Sequence, residues 1–164
     1  MAFLFSATLL VSAGLLFSVQ PMIGKIILPK LGGTPAVWNT CMVFFQAALL
    51  LGYAYAHFLT RLGIKKQTLI HLGLIVLPLF VLPIQSSEKA IMSIPSEDNQ
   101  VLWLIGFLIV VAGLPFIAVS TTAPLLQKWF SKTQHHYAHD PYFLYSPSNM
   151  GSMLGLLSSP VLVE

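Results

Sequence analysis

Charge is what this sequence has least of. Its 164 residues include 8 Lys+Arg and 5 Asp+Glu, so 8% are charged. A soluble domain carries roughly 25%. Thirteen charges are too few to clothe the surface of a water-soluble domain of this length. Cysteine is almost missing: Cys41 is the only one, which excludes an internal disulfide. Polar low-complexity tracts are missing too, and the 56% hydrophobic content excludes intrinsic disorder. The net charge of +3 is spread along the chain, so no clustered basic face marks a nucleic-acid binder.

What is present is long apolar runs. Mean hydropathy is +0.82. A bilayer core about 30 Å thick needs ~20 apolar residues in a helix. Five stretches are expected to serve, at about residues 2–28, 36–59, 68–84, 101–120 and 143–163. Helices are expected because isolated strands leave backbone groups unpaired in lipid. The fold class is therefore all-α, a polytopic integral membrane bundle of about five transmembrane helices forming one transmembrane domain. The N-terminus lacks a basic region before its apolar run and reads as a retained first span.

Local chemistry marks the boundaries. Gly32-Gly33 ends the first helix, and Thr34-Pro35 reads as an N-cap followed by proline at the first helical position. Arg61-Leu-Gly63-Ile-Lys65-Lys66 is a short basic turn. Ser86–Gln100 is a polar loop with Glu88, Lys89, Glu97 and Asp98. Gln127–Pro141 is another, with Lys128, Lys132 and three histidines. Pro78, Pro115 and Pro160 predict kinks. Arg61, Lys65, Lys66, Lys128 and Lys132 share one side, against Lys25, Lys30 and Lys89 on the other. This bias predicts a cytoplasmic N-terminus in a cell (inner) membrane.

Two small-residue stripes invite close helix packing: Ala48, Gly52 and Ala56, and Gly151 with Gly155. Ordinary intramolecular packing is the main reading, and an oligomer face the other. Gln20, Lys25, Asn39 and Gln46 are candidate cavity or ligand contacts. For Lys25 the alternative is a lysine that snorkels to the outer interface. For Asn39 and Gln46, seven residues apart on one helix face, it is hydrogen bonding to another helix. His57 and His71 flank the basic turn and read as interfacial. His135, His136 and His139 lack the glutamate of a His-Glu-x-x-His motif and read as a polar loop, not a metal site. Asp140-Pro141 reads as a helix start. Trp38, Trp103 and Trp129 read as interfacial anchors. Cys41 has no partnered base, and no serine has a triad context. No catalytic residue, metal or cofactor is expected.

Two longer patterns carry a family resemblance. Arg61, Gly63, Lys65 and Lys66 resemble the basic loop between helices 2 and 3 of the major facilitator superfamily, with Thr60 and Ala56 departing from its pattern. Leu16–Lys25, Leu28–Cys41, Phe44-Phe-Gln46 and Gly52–His57 resemble the membrane part of the spermidine synthase-like transmembrane proteins, the fused facilitator/spermidine synthase group. Gly113–Phe116, Ser120–Trp129, Asp140–Tyr145 and Ser148–Ser152 extend the resemblance. It implies part of a facilitator-like half. Full-length relatives continue into a soluble aminopropyltransferase-like domain, and no residue here matches its glycine-rich turn or acidic residues. Three functions follow as expectations. The first is an accessory or transporter-like subunit packed against other membrane subunits. The second is the membrane anchor of a separate synthase-like partner. The third is a small polar-solute transporter.

Overall fold

The structure, a computed structural model, describes residues 1–80 and 100–162, with side chains described through Ser158. Among these residues every regular element is helical. Helix α1 spans Ala2–Ile27, α2 Pro35–Leu59 and α3 Ile64–Val76, which runs into a 3-10 turn at Leu77–Phe80. Helix α4 spans Gln100–Phe130 and α5 Tyr145–Leu162. Helices α1, α2 and α4 are each long and apolar enough to cross a membrane. The end of the third expected span, the loop with Glu88, Lys89, Glu97 and Asp98, and Val163 lie outside the described residues.

The breaks between helices have local causes. Gly32 and Gly33 take φ of 78° and 61°, a region glycine enters without steric cost, and they end α1. The Thr34 hydroxyl then accepts from the Val37 amide at 3.4 Å, and Pro35 fills the first helical position, where no amide donor is needed. Pro21 is carried inside α1. Helix α4 absorbs Pro115 differently. Five residues, Ile109–Gly113, wind as a π-turn immediately before it. Proline has no N–H to return to the preceding turn, and a locally wider helix accommodates its ring. Helix α4 also runs ten residues past the expected end at Ser120, because Thr121 and Thr122 turn their hydroxyls onto the Ala118 carbonyl and stay helical. Its C-terminal turn ends at Phe130.

Contacts fix the directions. Leu10 meets Gly151 and Gly14 meets Gly155, so α1 and α5 run parallel. Cys41 lies in one core cluster with Leu104, and Ala56 in another with Leu125, so α2 and α4 run parallel. Leu9 meets Phe130, and Gln67 meets Trp129, so α4 opposes α1 and α3. Direction therefore alternates along the chain. One end of the bundle holds the start of α1, the α2–α3 turn, the end of α4 and the start of α5. The other holds the end of α1 and the starts of α2 and α4, around Ile27, Leu31, Val37, Leu104 and Leu108.

The tightest seam is α1 against α5. A β-carbon on Gly151 would strike the Leu10 carbonyl and sit 2.8 Å from its carbon. One on Gly155 would strike the Gly14 carbonyl. Ser18 Oγ donates to Gly14 at 2.8 Å and reaches the Gly155 carbonyl at 3.4 Å. A second close approach joins α2 to α4, where a β-carbon on Gly52 would strike Ser120 Oγ. Ala48 and Ala56, on the same stripe, are buried. Both small-residue stripes thus lie against helices of the same chain.

Backbone cannot yield as a side chain can. Gly151→Ala is expected to cost roughly 1–3 kcal/mol by overpacking. Gly106→Ala, with nothing within 4 Å, should be neutral or gain up to ~1 kcal/mol from helix propensity. Thermal unfolding in mild detergent checks the pair; equal midpoints would sink the close-packing account.

Candidate functional site: a buried polar cluster between α2, α3 and α4

Three helices bring a small polar cluster together at the end that holds the α2–α3 turn. Gln67 is fully buried on the first turn of α3. Its amide nitrogen donates to the Leu62 carbonyl at 2.6 Å and lies 3.4 Å from that of Thr60. Both carbonyls belong to the turn after α2, which the glutamine thereby closes. Its amide oxygen accepts from Trp129 Nε1, on the last turns of α4, at 2.8 Å. One side chain thus ties α2, α3 and α4 to each other.

His71 lies one turn further along α3 and is 4% exposed. Its ring stands edge-on to Trp129, centroids 6.0 Å apart. Its Nδ1 is 3.5 Å from Thr121 Oγ1, which donates to the Ala118 carbonyl at 2.8 Å. Among the described residues the other ring nitrogen, Nε2, is buried and meets no hydrogen-bonding group. The Tyr55 hydroxyl, packed against the α2–α4 contact with Trp129, is also buried without a partner. Two buried polar atoms of this junction, His71 Nε2 and Tyr55 Oη, thus meet no protein partner among the described residues. Buried polar groups are nearly always paired, so both are exceptions.

The cluster corrects two expectations. Trp129, expected as an interfacial anchor, spends its indole N–H on Gln67 inside the protein. His71 is not an interfacial histidine but a buried one. Gln67 carries one signal in the sequence, its spacing of four from His71, which puts both on one face of α3. Trp38 is 47% exposed, and Trp103 stacks on Phe107 with centroids 5.3 Å apart.

The other candidates are scattered. Gln20 is half-buried near the far end of α1, and Lys25 is exposed there. Asn39 lines an open cleft of about 440 Å³ with Thr40, Val43, Phe44, Ala47 and Val101. Gln46 is exposed on the outer side of α2. Arg61 sits over the Phe58 ring, 5.0 Å from its centroid. Gly63 starts α3, and Lys65 and Lys66 are exposed on its first turn. His57, His136 and His139 are exposed. His135 takes the Tyr137 amide on Nδ1 at 3.3 Å and packs on Phe130. Among the described residues no group of three His, Cys, Asp or Glu side chains is placed to hold a metal. Cys41 is buried in the apolar cluster with Val37 and Phe45. Asp140 caps the short 3-10 turn Pro141–Leu144 that leads into α5.

A comparison with protein families, with curated proteins and with solved structures finds no match.

The Gln67–Trp129 bond should be measurable on its own. Trp129→Phe keeps a ring but strands a buried amide oxygen, with an expected loss of about 1–3 kcal/mol. Adding Gln67→Leu should return part of that loss. A double-mutant cycle on unfolding midpoints with no coupling would sink the pairing.

Proposed function

We propose that this protein is a multi-pass subunit of the cell's inner membrane, accessory or transporter-like in role. It packs against other membrane subunits and has no catalytic residues of its own. The observation that carries the reading is the outward surface of the three long helices. It stays apolar at Phe3 (80% exposed), Leu50 (70%) and Leu102 (72%). A water-soluble protein rarely leaves so much apolar surface uncovered. Alternating helix directions support repeated crossing, within a facilitator-like arrangement.

The charges support an orientation. Arg61, Lys65 and Lys66 lie at the same end of the bundle as Lys128 and Lys132, joined there through Gln67 and Trp129. Lys25 and Lys30 lie at the other end, beside Ile27 and Leu31. With Lys89, which lies outside the described residues, counted with that other end, five basic residues against three favour a cytoplasmic N-terminus.

A second reading keeps a place because of the stretches Leu16–Lys25, Leu28–Cys41 and Ser120–Trp129, which resemble the spermidine synthase-like transmembrane proteins. In it the chain anchors a soluble aminopropyltransferase-like partner at the cytoplasmic face. Solute transport has less support, since Gln20 and Lys25 belong to the end of α1 while Gln46 faces outward from the middle of α2.

The membrane reading predicts that the chain stays in the pellet after alkaline carbonate washing. In a Cys41→Ser background, Lys30→Cys should react with an impermeant maleimide from outside, and Lys65→Cys only after permeabilisation. An alkali-soluble chain would sink the membrane reading, and reversed labelling the orientation. Mild-detergent purification followed by mass spectrometry separates the two roles. Membrane proteins coming along support the subunit, and a soluble synthase-like protein supports the anchor.

A further inference from the structure

Helix α2 has two faces of the same period. Cys41, Phe45, Ala48, Gly52, Ala56 and Leu59 point inward and are buried. Roughly 200° around the helix lies a second stripe, Asn39, Val43, Gln46, Leu50, Tyr53 and His57. All six of its residues are exposed, Val43 at 64%, Leu50 at 70% and Tyr53 at 50%. Their spacing alternates four and three, the seam of a left-handed helix pair. Gln46 stands at the middle of the 25-residue helix. Among the described residues the side chains of Asn39, Gln46 and Tyr53 make no hydrogen bond with the rest of the chain.

Polar groups in hydrocarbon need a partner. The exposed faces of α1 and α5 carry Val11, Leu15, Met153 and Leu157, which need none, with Asn149 a single exposed amide near the start of α5. The α2 seam gathers three such groups along one face, and its chemistry says what fits it. A carboxamide both donates and accepts, and so does a phenol. Every copy of a chain enters the membrane with the same orientation. A two-fold axis along the membrane normal therefore sets each α2 residue opposite its own equivalent at the same depth. Asn39 meets Asn39, Gln46 meets Gln46 and Tyr53 meets Tyr53, each pair satisfied by like with like. Val43 and Leu50 form apolar layers between them. A face with one charge sign or only acceptors could not pair with itself in this way; this one can.

We propose that two copies of this chain dimerise in the membrane through the outer seam of α2, with Gln46 paired to Gln46 at its centre. The inference rests on the membrane-subunit reading and names one of the partners that reading requires. It gives the buried Ala48–Gly52–Ala56 stripe to the protomer's own core and the polar stripe to the dimer. Such interfaces are isologous, and a central amide pair fixes register as well as adding stability.

The test uses the full chain in its own membrane, in the Cys41→Ser background. Single cysteines at the seam, Val43→Cys and Leu50→Cys, should form disulfide-linked dimers of this chain under mild oxidant. Leu51→Cys, one residue around the helix, and Leu102→Cys, on α4, should not. Gln46→Leu in the Leu50→Cys chain should lower the cross-linked fraction about tenfold, the loss of one to two interhelical hydrogen bonds. Gln46→Asn should keep most of it. Dimers formed equally at Leu51→Cys and Leu102→Cys would overturn the seam. So would a chain that stays monomeric, or seam cysteines captured by a different protein. A chain lost from alkali-washed membranes removes the membrane reading itself, whereas a membrane-retained monomer sinks only the dimer.

Discussion

The rest of the bundle depends on two helices being allowed to touch at the backbone. Where α5 crosses α1, Gly151 and Gly155 leave room for the carbonyls of Leu10 and Gly14, and Ser18 reaches across to Gly155. In lipid there is little hydrophobic drive between helices, because acyl chains are as apolar as leucine. For helices in that setting, association relies on close packing and on hydrogen bonds that only close packing permits. Joining α1 to α5 places the two parallel, with the polar turn through Asp140 at the start of α5. That placement brings Leu9, Phe130 and Leu144 into one cluster and seats the end of α4. The end of α4 in turn carries Trp129, on which Gln67 and α3 depend.

Two kinds of interaction hold the helices, and they divide the molecule. Toward the far end, the contact of α1, α2 and α4 is aliphatic and aromatic, from Ile23 and Val37 to Phe45 and Phe116. Near the basic turns, the contact of α2, α3 and α4 is polar, with Gln67 closing a turn and clamping an indole. Helix α3 is short, and most of its surface is exposed; Gln67 and His71 are its buried residues. Its attachment is therefore specified by hydrogen bonds. Because the partners of those bonds lie on the α2–α3 turn and on α4, any shift of α3 must be felt at both.

The local punctuation of this chain was legible in its sequence. Gly32-Gly33 and Thr34-Pro35 act through φ angles and one capping bond, which neighbouring residues alone determine. The facing of each helix was not legible, for a physical reason. In water, hydrophobic periodicity tells inside from outside. Here both sides are apolar, so the seven-residue spacing of Asn39 and Gln46 shows that they share a face without showing which one. Trp129 misled for the same reason. An indole near a helix end suits a membrane interface, and only the fold supplies Gln67, 62 residues away in the chain. His71 likewise looked interfacial beside a basic turn, until α4 covered it. The glycine stripes could be recognised as packing surfaces, but their partners, α1 for one and α4 for the other, required the three-dimensional arrangement.

The π-turn at Ile109–Gly113 has a consequence for how α4 is read by its neighbours. A turn that holds one extra residue advances everything after it by about 100° relative to an uninterrupted α-helix. Before the turn, Leu104 and Leu108 enter the aliphatic core. After it, Phe116 still enters that core, and further on Thr121, Leu125 and Trp129 face the polar junction. The bulge is thus a phase shifter between two halves of one rod. It lets a single continuous helix keep two surfaces in register with two differently oriented neighbourhoods. Removing one residue there would turn the second half of the rod by about 100° and present a different side of it to α3.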